Sequence, residues 1–205
     1  METFNASEKT IKVAQALGFL LSKDENKKMN RVKLIKLLWA ADRLHLRRYG
    51  RTVTDTSYFA MVHGPVSSLA LDIARLDSEF GLSDGDAHYI EEYFTSNYKD
   101  TSMSKNPGDD YLSETEKAAL SDAWEMFKDA DPFDLADQVS HEYPEWNRYK
   151  DYFEAGNSNR QQIDLADFFK NPAHDPYFQE DETRLRAAEE IFNENKKLNS
   201  LLCGA

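Results

Sequence analysis

Three things that the sequence lacks narrow the class of protein. It has one cysteine, Cys203, so the disulfide framework of a small secreted domain is excluded. It has no run of about 18 apolar residues, the minimum for a membrane-spanning helix. Its first residues carry no cationic stretch before the apolar part, which is the reverse of a secretory signal. We therefore expect a soluble, cytosolic protein without a membrane partner.

The motifs of common enzyme classes are also missing. The chain has no G-x-S-x-G nucleophile elbow, no P-loop and no GxGxxG, so acyl transfer and nucleotide binding have no support. His141 and Glu142 begin like the HExxH zinc motif, but Pro144 would break the helix on which that motif depends. We predict that the chain is not an enzyme.

Charge is plentiful but unevenly distributed. Residues 1–51 hold 12 Lys and Arg against 5 Asp and Glu, whereas residues 52–205 hold 13 against 32, and the whole chain has a net charge of −12. The acidic part would repel phosphate backbones, so broad nucleic-acid binding is disfavoured. A basic protein partner would suit this surface, although an acidic surface also serves solubility alone.

Hydrophobic periodicity predicts a mainly α fold with a small β-hairpin or other short strands. Apolar residues recur at helical spacing from Ser7 to Ser22 and again after Asn30, where a long helix runs to Gly50. Ser113 and Glu116 form a capping box at the start of a later helix. We expect a compact module over residues 1–154, followed by a helical C-terminal extension over residues 155–205.

The long second helix departs from a simple amphipathic pattern. Its apolar side chains share an arc of about 140°, and a basic stripe of Lys33, Lys36, Arg43 and Arg47 lies opposite. The stripe predicts either a solvated face or pairs with acidic groups of the extension. Asp42 and His45 fall inside the apolar arc.

A buried carboxylate must be hydrogen-bonded or paired, because leaving it bare costs several kcal/mol. Asp42 and His45 are three residues apart on a helix, so they can reach each other or a common third group. One interpretation is a polar hub that holds nearby turns in place. The other is a metal-dependent enzyme that uses an oxygen and three nitrogens, from Asp42, His45, His63 and His141.

The same helix carries a family resemblance. The string from Lys33 to Arg51, KLIKLLWAADRLHLRRYGR, resembles the opening of the Panacea domain, the SocA-like antitoxin domain of bacteria and phages. A "Y-x-A" step, a "GPV" step and a late "S-H…P-x-W" element follow in the same order, and the resemblance covers about residues 8–150. The signature residues, as we call them, are Lys36, Leu37, Asp42, His45, Tyr49, Gly50, Tyr58, Gly64, Pro65, Val66, His141 and Trp146.

The resemblance implies a mainly helical fold with a small β element, no cofactor and no catalytic residues. It also implies an antitoxin in a two-gene module, which neutralises a cognate protein toxin by direct binding. One branch of the family delivers its toxin to an ATP-dependent protease, so an adaptor role is the alternative mode.

Aromatic residues are concentrated in the acidic region after the signature. Tyr and Trp are favoured at protein interfaces, so these side chains are candidates for partner binding. The alternative is that they pack the C-terminal helices onto the module. The candidates are Tyr143, Trp146, Tyr149, Phe168 and Phe169.

Overall fold

The computed structural model describes residues 6–77 and 81–203 and has a mainly α fold with short strands. Helices carry most of the chain, as the hydrophobic periodicity predicts. The α-helices are α1 (Glu8–Leu21), α2 (Arg31–Tyr49), α3 (Ser68–Arg75), α4 (Asp84–Tyr93), α5 (Glu114–Phe127), α6 (Pro144–Asn147), α7 (Lys150–Glu154) and α8 (Glu182–Cys203). A π-helix (Asp134–Val139) and two 3₁₀ turns (Ser140–Glu142 and Leu165–Phe169) lie between them.

The predicted helix boundaries follow from capping side chains. The Ser7 hydroxyl accepts the backbone N–H of Thr10 at the start of α1, and the Asn30 side chain accepts the N–H of Val32 at the start of α2. Gly50 ends α2 in the left-handed region with φ +71°. A Cβ there would lie 2.6 Å from the carbonyl oxygen of Ala188, so a residue other than glycine would also collide with α8.

Two small antiparallel sheets complete the fold. The first has the order β1-β5-β4, built from Lys28–Asn30, Asp100–Met103 and Phe94–Ser96. The second has the order β3-β2-β6, built from Gly64–Ser67, Tyr58–Met61 and Gln161–Gln162. In the second sheet β2 and β3 form a tight hairpin whose register closes with Met61 opposite Gly64.

Local structure differs from the predictions in two places. In the sequence Pro65 suits the first turn of a helix that would begin at Val66, but the hairpin takes that residue into β3 and Ser67 becomes the N-cap of α3. The run HYIEEYF at residues 88–94 suits a short strand of a hairpin, but Ser83 caps a helix that runs to Tyr93, and of this run only Phe94 enters the hairpin of β4 and β5. In both places a serine cap moves the helix boundary.

Helix α2 lies at the centre, and its residues 34–47 are all buried. It packs against α1, α5 and α8, and also against β3 and the π-helix. Most of the basic stripe is therefore not a solvated face, because Lys36, Arg43 and Arg47 are buried, whereas Lys33 is partly exposed. The acidic partner of Arg43 is Glu145 of the module, and Arg47 bonds to carbonyl oxygens of the extension rather than to its acidic groups.

The C-terminal extension belongs to the same hydrophobic core as the module. Ile163, Phe168, Phe178 and Ala188 join one continuous cluster with the side chains of α1, α2 and α5. Strand β6 of the extension also adds an edge to the second sheet. The boundary that we predicted at residue 154 therefore does not divide the core. Within the described ranges, none of the helices is both long and apolar enough to cross a membrane.

Candidate functional site

Asp42 is the centre of the predicted hub. Its carboxylate is fully buried and accepts hydrogen bonds from the backbone N–H of Thr54 at 2.9 Å, from the Thr54 hydroxyl and from the Tyr58 hydroxyl at 2.6 Å. Burial raises the pKa of the Asp42 carboxyl to about 6, although these hydrogen bonds lower it. One side chain of α2 thus fixes both the turn that follows the helix and strand β2.

His45 has a separate set of partners. Its Nδ1 lies 2.7 Å from the carbonyl oxygen of Arg51, and its Nε2 lies 3.1 Å from the hydroxyl of Thr115. Since a carbonyl only accepts, Nδ1 carries the proton and Nε2 accepts from Thr115. Burial lowers the pKa of His45, which favours this neutral tautomer. Asp42 and His45 therefore do not share a third group, but both hold the segment after α2.

Lys36 holds the hairpin from the other end of α2. Its ammonium is buried and donates to the carbonyl oxygen of Pro65 at 2.8 Å, and burial lowers its pKa well below the ordinary value. Gly64 has φ +94°, and a Cβ on it would lie 2.2 Å from the Ser140 hydroxyl and 2.5 Å from Lys36 Nζ. Position 64 therefore requires glycine, because the Lys36 and Ser140 side chains occupy the space that a Cβ would take.

Trp146 connects the S-H…P-x-W element to the β2–β3 hairpin. Its indole Nε1 donates to the carbonyl oxygen of Met61 at 2.7 Å, and the His141 ring stacks on it with ring centroids 3.4 Å apart. Burial lowers the pKa of His141 to about 4, and the charge of Lys36 lowers it further. Leu37 and Val66 are buried in the core, whereas Tyr49 is partly exposed beside the His45 ring.

The four proposed metal ligands do not converge on one point: the ring nitrogens of His63 and His141 lie 3.3 and 3.9 Å from Oδ1 of Asp137, whereas Asp42 and His45 have other partners. The Asp42 carboxylate is hydrogen-bonded to Thr54 and Tyr58, and the His45 ring is hydrogen-bonded to Arg51 and Thr115. His63 is exposed and contacts Asp137, and His141 stacks on the indole ring. Within residues 6–77 and 81–203, no group of three or more His, Cys, Asp or Glu side chains could hold a metal ion.

The candidate partner-binding aromatics are mostly interior. Tyr143, Trp146, Phe168 and Phe169 are between 0 and 6% exposed, and Tyr149 is half-buried. Two of them, Tyr143 and Phe168, lie beside Arg43, whose guanidinium is 4.4 Å from the Tyr143 ring centroid and 5.9 Å from that of Phe168. Tyr143 and Phe168 make ring contacts between the extension and the module, with Phe178 and Tyr58 respectively. Of the five candidates, Tyr149 alone keeps a substantial part of its surface exposed.

Sequence reasoning missed the buried ionic centre beneath these rings. Arg43 Nη1 donates to Glu145 at 2.7 Å, and Trp39 Nε1 donates to the same carboxylate at 3.0 Å. Arg47 donates to the carbonyl oxygens of Phe168 and Phe178, both in the extension. The only signal in the sequence for this ionic centre is the position of Glu145, between Pro144 and Trp146 of the P-x-W element.

Comparison with known proteins gives one match. The family model described as "Antitoxin SocA-like, Panacea domain" matches residues 34–147, which is more than half of the chain. The match includes the hub, the hairpin and the late element, and it leaves out α1 and the extension. No curated protein and no solved structure matches the chain.

Proposed function

Because the chain belongs to the SocA-like Panacea family of antitoxins, we propose that it is the antitoxin of a toxin–antitoxin pair and neutralises a cytosolic protein toxin by binding it. The family match carries this proposal, since it covers every signature residue from Lys36 to Trp146 in one ordered stretch.

The chemistry of the signature residues supports binding over catalysis. The polar groups of Asp42, His45 and Lys36 are engaged by the protein's own backbone and hydroxyls. A catalytic acid, base or ligand must instead present an atom to its substrate. No observation in the described part of the chain favours the metal-enzyme alternative.

Co-expression with the protein encoded beside it tests the proposal. We expect that protein alone to arrest growth, and this chain to restore growth and to elute with it as one complex on size exclusion. A Gly64→Asp variant, which places a side chain against Lys36 and Ser140, should fail to rescue because it does not fold. Rescue failure by the wild-type chain against every adjacent toxic product would refute the antitoxin role.

The lifetime of the toxin in the cell distinguishes sequestration from delivery to a protease. If the chain sequesters its toxin, the lifetime of the toxin in the cell stays constant or rises when both are made. If the chain is an adaptor for an ATP-dependent protease, the lifetime falls, and it recovers in a strain that lacks the protease. We propose sequestration as the default, because direct binding is sufficient for it and no further partner is needed.

A further inference from the structure

The second half of α8 is not buried by the rest of the described chain. In the first half, Leu185, Ala188 and Phe192 belong to the hydrophobic core or pack against it. From residue 193 to residue 202 every residue is exposed, over a length of about 15 Å at 1.5 Å per residue. Packing within this chain therefore does not account for the side chains that this segment carries.

Four exposed apolar side chains form a stripe along α8. At 100° per residue they share an arc of about 100°, centred about 120° away from the side chains that face the core. They are 46 to 77% exposed, and their separations of three, four and seven residues are those of a helix that packs against another helix. The α8 stripe consists of Ile191, Leu198, Leu201 and Leu202.

Two opposite charges border one edge of the α8 stripe. Glu190 and Lys197 are seven residues apart, so they lie within about 20° of each other around the helix. Both are exposed, and neither side chain takes part in an ion pair within the described ranges. The other edge carries the uncharged Asn195 and Asn199. The two edges therefore differ, and only one of them calls for an oppositely charged neighbour.

We propose that the α8 stripe pairs with the same stripe of a second copy of this chain, with the two helices antiparallel. A two-fold axis between residues 193 and 194 sets Glu190 of each copy opposite Lys197 of the other, so both charges are paired twice. A parallel pair would instead set the charged edge against the uncharged edge. Charge complementarity thus selects a second copy as the occupant and fixes its direction. The pairing is independent of the antitoxin role.

Glu194 limits the strength of this pairing. It is exposed and lies inside the arc of the α8 stripe, next to the two-fold axis, so the carboxylates of two copies approach each other. Like charges across an interface are unfavourable. Four apolar side chains also supply only part of the roughly 800 Å² that each partner of a stable interface buries. We therefore expect a weak dimer in exchange with the monomer.

Sedimentation equilibrium of the full chain measures the association. We expect the average mass to rise between about 5 and about 500 µM, from that of one chain towards that of two. Leu201→Ser should weaken the dimer about tenfold, and Glu194→Leu should tighten it about tenfold. Both positions are exposed, so neither change endangers the fold. A monomer at every concentration, or unchanged association of Leu201→Ser, overturns the proposal.

Exchanging the two charges tests the direction of the helices. Glu190→Lys alone and Lys197→Glu alone should each weaken the dimer about fivefold at low salt, because like charges then face each other. The double variant, in which the two charges are exchanged, should associate like wild type. Glu189→Lys makes the same charge change on the neighbouring residue, about 100° away, and is the matched control that should leave association unchanged. An antiparallel pair is excluded if the double variant stays as weak as the single ones.

Co-expression with the toxin distinguishes a second copy from the toxin as the occupant. We expect Leu201→Ser, although it no longer dimerises, to rescue growth like the wild-type chain. A wild-type chain that stays monomeric to about 500 µM, together with lost rescue by folded Leu201→Ser, would assign the α8 stripe to the toxin and refute the second copy. If the wild-type chain itself does not rescue, the antitoxin role fails, and the sedimentation data still decide whether two copies pair.

Discussion

Arg43 and Glu145 form an ion pair with both side chains fully inside the protein, with Arg43 Nη1 2.7 Å from Glu145 Oε2, although 102 residues separate them. Burying two charges is costly, and only close geometry with further hydrogen bonds offsets the loss of water. Trp39 supplies one of these bonds to Glu145, and Asn171 accepts another from Arg43 at 3.1 Å. The pair therefore joins α2, α6 and the extension.

Removing one partner of this pair should be far more damaging than removing both. We expect Glu145→Ala to lower the free energy of unfolding by about 3–5 kcal/mol, because Arg43 stays buried without a counter-charge. The double variant Arg43→Met, Glu145→Leu should lose less than the single one. Urea unfolding followed by circular dichroism measures both. Wild-type stability of Glu145→Ala would show that the Arg43 guanidinium becomes solvated once its partner is removed.

Tyr58→Phe should test the Asp42 hub. The change removes one donor to a buried carboxylate and leaves the ring in place, so we expect a loss of about 1–3 kcal/mol in the free energy of unfolding. Tyr98→Phe, at a fully exposed tyrosine, is the matched control and should change stability by less than about 0.5 kcal/mol. Equal midpoints for the two variants in urea would contradict the hub.

Glu116 should make the protein sensitive to acid. Burial alone would raise the pKa of its carboxyl, but bonds from Lys12, the Ser113 N–H and Arg51 outweigh burial and lower it to about 2. A group whose pKa is lowered by folding stabilises the protein above its ordinary pKa, near 4.5, and this stabilisation is lost as the pH falls towards 2. We expect a loss of about 2 kcal/mol over that window, given the partial exposure of Lys12 and Arg51.

The variant Glu116→Gln isolates this effect, because glutamine keeps the capping box and removes the charge. Its unfolding free energy should change less than that of wild type between pH 4.5 and pH 2. Glu114→Gln, at an exposed carboxyl of the same helix turn, should follow the wild-type curve. Parallel curves for wild type and Glu116→Gln would show that the carboxyl is not the acid-sensitive group.

Phe168→Ala should destabilise the fold. The Phe168 ring is fully buried and lies 5.2 Å from the Tyr58 ring, centroid to centroid, so truncation should cost about 3–5 kcal/mol. Leu202→Ala, at an exposed leucine of α8, should cost less than about 0.5 kcal/mol. Wild-type thermal stability together with weaker toxin binding would instead restore Phe168 as a residue of the partner surface.

The sequence predicted those features that depend on neighbours in the chain. Ser7, Asn30 and Gly50 mark helix ends because a cap acts within a few residues, and Asp42 stood out because a carboxylate interrupted an apolar arc. The burial of Arg43 could not be predicted, because its cover comes from segments more than 100 residues away.

The sequence could not decide between the two roles of the candidate aromatics, because a Tyr or Phe has the same composition signal in a core as at an interface.

The enclosure of α2 bears on how a protein of this design could change its target. A substitution on that helix must satisfy several surrounding segments at once, so few alternatives are tolerated. Tyr98, on an exposed turn, is under no such constraint. Under the proposed function, a new partner can therefore be accommodated by substitutions in exposed turns while α2 stays unchanged.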